Sequence, residues 1–292
     1  MEKYKSIVEE VLSITKKKGV QADCILDTNS VLSLKSEDQE LAEHKVSSSL
    51  VLGVRVIKEN KIGTSYSESW DKESLNDMVN EAIDFSKYTK VEPLEKIDLK
   101  RADFLDGTIS KIFQEDDTSL QEKIDFTYAL ESEVKKIDKS VKSTPYNNFS
   151  QNEGQRIYGN HLGTFCGQKS RTFSCYTSAL IERDGQQSMH YHANIGRQFK
   201  DLSLADVARE SYFHADKLLG AKAIATGDYD IIFTTDELSD LFGCFSSLFS
   251  GKAAMNNLNP WKDKLGKQLA DSSFSMIDNP TLDSAYYYAP FD

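Results

Sequence analysis

The chain has 292 residues, 39% hydrophobic and 28% charged, enough for two or three compact units each with its own core. Its 35 Lys and Arg against 46 Asp and Glu leave a net charge of −11, a field that repels phosphate backbones and argues against a nucleic-acid partner. No apolar window approaches the roughly 20 residues of a membrane span, and acidic residues interrupt the N-terminus where a signal peptide would need an apolar run. Cys24, Cys166, Cys175 and Cys244 lack Cys-x-x-Cys spacing, so reduced thiols in a cytoplasmic protein are expected.

Residues 1–18 place Tyr4, Ile7, Val8, Val11 and Leu12 on one helical face, and Gly19 closes that helix. Three strand-type runs follow, Ala22–Thr28, Ser30–Lys35 and Ser47–Ile57; the last turns at Glu59-Asn60 and returns over Lys61–Ser65. A helix from about Asp71 to Lys87 buries Leu75, Met78, Val79, Ala82 and Ile83, completing an α+β domain over 1–95. Periodicity lapses over 96–118, which reads as a linker.

A polar helix over Ser119–Lys139 opens a central α+β domain, 119–225. Residues 146–194 are strand territory with turns at Asn152-Glu153-Gly154 and Arg183-Asp184-Gly185, and a helix begins at Ser203, boxed by Asp206. The third segment, 226–292, starts with an apolar strand, Tyr229–Phe233. It feeds a helix capped by Thr234 and Glu237, with Asp236 favouring the first turn, and Gly251 stops it. Leu238, Leu241, Phe242, Phe245, Leu248 and Phe249 make one face of that helix apolar; Gly243, Ser246 and Ser247 lie on the small-residue face. The fold class expected is α+β with antiparallel sheets flanked by helices.

The third segment also carries a family resemblance. GDYDIIF, LFGCFSSLFSGKAAM, DKLGKQLAD, IDNPTLDSA and the terminal APFD resemble the TldD/PmbA family of peptidase subunits, in its PmbA (TldE) branch. GVRVIKENKIGTSYSESWDKESLNDMVNEAIDFSK resembles the family's N-terminal domain, and the order of turns and helices over 119–225 resembles its central one. The resemblance implies a β-rich C-terminal domain continuing well past Pro290-Phe291-Asp292, of which 226–292 is the start.

In the catalytic TldD branch the same helix carries His-Glu-x-x-x-His, a spacing that turns two imidazoles toward one metal with a Glu beside its water. The matching positions here are Gly243, Cys244 and Leu248, none of which suits the task, so no catalytic residue, metal site or cofactor is expected in this chain. Two alternatives within the chain are weaker. His190 and His192 share one strand face and could hold a different metal, although packing is the simpler role. His214 with Glu210 reads as a solvated pair one turn apart. No Gly-rich phosphate loop and no Gly-x-Ser-x-Gly elbow occurs.

The resemblance implies a non-catalytic subunit of a cytoplasmic metallopeptidase. A TldD-like partner would supply the zinc, and extended peptides such as microcin precursors and antitoxins would be the substrates. Gly243, Ser246 and Ser247 would border the peptide or the partner, and the isolated chain could pair with itself as a homodimer. The competing expectation is a peptidase-independent binding or scaffold protein of the gyrase-modulator type.

Overall fold

The computed structural model describes residues 2–97, 113–279, 282, 285 and 286. Most of the expected linker and the terminal Ala-Pro-Phe-Asp lie outside them. The chain runs α1 (Glu2–Lys17), β1 (Gln21–Glu37), β2 (Glu40–Lys58), β3 (Lys61–Ser67), α2 (Lys72–Ser86), α3 (Leu120–Ile137), β4 (Val141–Ser143), β5 (Asn147–Asn160), β6 (Phe165–Arg183), β7 (Gln186–Gly196), α4 (Leu204–Leu218), α5 (Thr235–Cys244) and α6 (Gly251–Met255). Two compact units result, one holding residues 1–221, the other Lys222–Asn279.

The helices begin where local chemistry says they should. Asp71 accepts from the N–H groups of Glu73 and Ser74, both at 3.0 Å, and so caps α2. Ser119 and Glu122 exchange bonds to form a capping box on α3. Ser203 accepts from the N–H of Asp206 at 3.3 Å to start α4. The β2–β3 hairpin turns at Glu59 and Asn60, both at positive φ, the geometry whose twist matches that of its strands.

Seven antiparallel strands make one sheet, in the order β3-β2-β1-β5-β6-β4 with β7 paired to β6. This departs from the expectation of separate units over 1–95 and 119–225. β1 pairs with β5 from Asp23↔Asn160 to Leu34↔Phe149, so the ladder runs straight across the boundary. The sequence also splits β1 at Asn29, whereas the structure has one strand of 17 residues.

The reason lies in the rows of side chains that cross the helix-covered face. At one end, Leu52, Leu26 and Ile157 stand opposite one another beneath α1 and α2, in a core that includes Val8, Val11, Met78 and Val79. At the other end, Leu34, Phe149 and Cys175 line up in a core with Leu130 of α3 and Val207 of α4. Fully burying one such side chain contributes about 1.5–3 kcal/mol. Between the two cores the rows turn polar, Leu50–Thr28–Gln155–Lys169 and then Ser48–Ser30–Glu153–Arg171. A polar middle inside a long strand looks like a loop when only the sequence is read.

The opposite face carries cross-strand ion pairs. Arg55 clamps Asp23 through two bonds of 3.0 and 2.6 Å, and Arg156 clamps Asp27 at 2.7 and 2.8 Å.

The second unit differs most from expectation. Tyr229–Phe233 forms no strand, and Ile232 is 95% exposed. A strand needs a neighbour for its backbone groups, and the described part of 222–279 contains no other strand to pair with. The expected helix ends early, at Cys244, passes through a 3-10 turn over Ser246–Phe249, and Gly251 opens α6 where it was expected to end α5. Thr234 sits at the N-cap of α5 without a side-chain hydrogen bond, so the expected box does not form; the Asp236 side chain lies outside what is described.

Candidate functional site

The family-marked helix is α5 and its continuation. Gly243, Cys244, Ser246 and Ser247 are exposed, Leu248 is half-buried, and a Cβ on Gly243 would meet nothing within 4 Å. The small-residue face is therefore open, as a contact surface would need. The apolar face does not behave as expected. Phe245 is 49% and Phe249 53% exposed, so this face is not buried within the chain's own fold. What packing there is comes from the following segment: Phe242 stacks on Phe274 at 5.6 Å, and Phe249 meets Trp261 edge-on at 5.8 Å. Buried Asn259 ties the segment back by donating to the Leu248 carbonyl at 2.8 Å. These residues line an apolar cleft of about 1020 Å³ within the unit.

Zinc requires imidazole, thiolate or carboxylate donors in tetrahedral array. Glycine and leucine offer none, and Cys244 would be a lone ligand, so the residues at 243, 244 and 248 do not fit the metal. Among the described residues, no group of three or more His, Cys, Asp or Glu is arranged to hold an ion.

The alternative pair resolves differently. His190 and His192 lie on the helix-facing side of β7, opposite Ala179 and Thr177. His161 stands beside Ala22 at the start of β1, its Nδ1 3.2 Å from that carbonyl, and no described group of three ligands forms around the pair. Instead, His214 of α4 brings its ring to 4.9 Å from that of His190, and its Nε2 lies 3.7 Å from Glu210 Oε2. Sequence reading finds the Glu210–His214 pair but misses His190 beside it, because only the docking of α4 on β7 creates that contact. Cys24, Cys166 and Cys175 are buried free thiols. Burial drives the Cys24 thiol far up and those of Cys166 and Cys175 up to about 12, which removes them as nucleophiles.

Family models account for most of the chain. Residues 22–85 match domain 1 of the PmbA/TldA metallopeptidases, 113–219 the central domain and 226–292 the C-terminal domain. The chain belongs to the PmbA/TldD metallopeptidase family. It is 23% identical over its whole length to Metalloprotease PmbA of Escherichia coli O157:H7 and 20% identical to a PmbA homologue of Haemophilus influenzae. It spans 66% and 65% of the lengths of those two relatives.

Solved structures agree on the fold. A proposed modulator of a DNA gyrase from Thermotoga maritima superposes with a TM-score of 0.77 at 20% identity, over 91% of this chain and 60% of that one. TldE from Thermococcus kodakarensis gives 0.55 at 12% identity, over 72% of this chain and 47% of that one. No described helix of this family member is long and apolar enough to cross a membrane.

Proposed function

We propose that this chain is a non-catalytic, PmbA/TldE-like subunit that works in the cytoplasm with a TldD-like zinc peptidase on extended peptides. The observation that carries the reading is the occupancy of the motif positions by Gly243 and Cys244 at the end of α5 and by Leu248 in the turn that follows, with Gly243, Ser246 and Ser247 exposed beside them. A zinc-bearing partner would complete the chemistry that these residues lack. The outer edge of β7, which has no strand partner among the described residues, adds support, since a strand edge binds an extended chain through main-chain bonds with little sequence preference. Gly243, Ser246 and Ser247 are the residues we assign to the partner or peptide contact, and a homodimer is the state proposed for the chain alone.

Co-expression with a chain carrying His-Glu-x-x-x-His tests this. The pair should co-purify and cleave an unfolded peptide that neither chain cleaves alone, and Gly243→Trp should abolish pairing or cleavage. Zinc analysis of the isolated chain should show less than one ion per chain. Chelator-sensitive cleavage by this chain alone would overturn the proposal. Co-purification without any gain in cleavage would favour a peptidase-independent binding role.

A further inference from the structure

The two polar rows between the cores form the floor of a cleft of about 600 Å³, within the usual range of ligand sites. The α1–α2 side contributes Tyr4 and Trp70 to its wall, and Phe113 stands at the α3 side. Trp70 is 45% exposed, with Lys3 Nζ 5.1 Å from its ring centre, while Phe113 is held between Lys169 and Arg171 at 5.4 and 4.4 Å. Arg171 is itself fixed by Glu153 at 2.9 Å and by the Gln114 carbonyl at 2.6 Å. The aromatic rim is thus anchored.

The occupant can be argued from chemistry. Lys169 lines the cleft with Glu68 and Glu153, and Arg171 and Glu153 neutralise each other, so neither an anion nor a cation is strongly favoured. The floor is hydroxyl and amide, and the buried Gln155 amide oxygen has no donor among the described residues. The cleft crosses β2, β1, β5 and β6 at right angles on the sheet face, so ladder hydrogen bonds are not on offer there. Three strand spacings amount to about 14 Å, the length of four or five extended residues. A polyproline II segment suits such a place: its non-proline N–H groups are free to donate to Gln155 and its carbonyls to accept from the floor hydroxyls, it loses little entropy on binding, and its rings lie flat on aromatic walls.

We propose that this cleft binds a neutral, proline-containing peptide segment in extended form, laid across the four strands and gripped by side chains alone. The choice of peptide over saccharide rests on the peptide-handling role proposed above. The site itself needs no catalytic partner, so its test stands or falls separately from subunit pairing.

Trp70 and Trp261 are the two tryptophans of the chain, so Trp261→Phe leaves Trp70 as the sole reporter. Titration with acetyl-Pro-Ala-Pro-Ala-Pro-amide should change Trp70 emission saturably. Gln155→Ala and Phe113→Ala should each weaken binding about fivefold, and Ser48→Phe, at an exposed floor position, should abolish it by filling the cleft. Asp27→Asn, on the opposite face, should bind normally. Melting curves confirm that each variant is folded. The proposal is overturned by the absence of saturation, by equal binding in the folded Gln155→Ala, Phe113→Ala and Ser48→Phe proteins, or by a response to maltopentaose and not to the peptide.

Discussion

Asn147 Oδ1 accepts from both the backbone N–H and the hydroxyl of Ser36, at 3.0 and 3.1 Å, joining residues 111 positions apart in a buried site. The bond ties the far end of β1 to the first residue of β5 and so fastens the N-terminal segment to the central one. Asn147→Leu leaves the buried Ser36 N–H unmet, while the hydroxyl can turn to the Thr127 carbonyl at 3.1 Å, and should cost about 1–3 kcal/mol. Because the sheet is shared, the loss should appear as a lower midpoint of one transition for residues 1–221. Calorimetry resolving independent melting of 1–95 and 119–221 would contradict it.

Glu131 offers a pH handle. Burial opposes ionisation of this carboxyl, but bonds from Lys135 at 2.5 Å and from the Gln39 N–H at 3.1 Å outweigh it and hold the group below the usual carboxylate range. A depressed folded value means that the contribution is complete above the unfolded value, about pH 4.3. It is lost as pH falls through the folded one. Glu131→Gln should therefore be less stable than the parent at neutral pH, with the gap closing on acidification. Paired melts at pH 7 and pH 3 check this, and a gap that widens in acid refutes it.

Two phenylalanines should behave in opposite ways. Phe149 is fully buried among Phe126, Phe173 and Phe199, and truncation to Ala should cost about 3–5 kcal/mol. Phe245, half exposed, falls short of the full burial that the sequence pattern implies, so Phe245→Ala should shift a chemical denaturation curve far less. Equal shifts would restore the buried apolar face.

Glycines make a second contrast. A Cβ at Gly63 of β3 would lie 1.8 Å from the Ala82 carbonyl oxygen, because α2 sits directly on that strand. Gly63→Ala should destabilise by about 3 kcal/mol or more. Gly243→Ala, pointing into open space, should stay within about 1 kcal/mol of the parent. Urea titrations of the two proteins are sufficient to compare them.

Local signals were legible where local chemistry decides. The start of α2 near Asp71, the Ser203–Asp206 helix start and the turn at Glu59-Asn60 depend on neighbours within a few residues, and each stands where the sequence puts it. The continuous β1 was not legible, since Asn29 interrupts the strand pattern until Ser49 and Gly154 are found opposite it. The strand expected over Tyr229–Phe233 failed for the converse reason: its pattern is right, but a strand is a property of a pair. The placing of His190 against His214 needed the docking of α4 on β7, which no spacing reveals.

The pairing of β1 with β5 also sets a schedule for biosynthesis. At about 5–20 residues per second, roughly 6–22 s pass between the emergence of Ser36 and that of Asn147, its partner. Throughout that interval β1 has one bare edge, with Leu32 and Leu34 near its end. A nascent hairpin in that condition can recruit any passing strand. The polar stretch Asp27-Thr28-Asn29-Ser30, with Lys35 beyond it, makes β1 a poor template for such recruitment. The polar middle of the sheet thus protects the chain before it has finished folding.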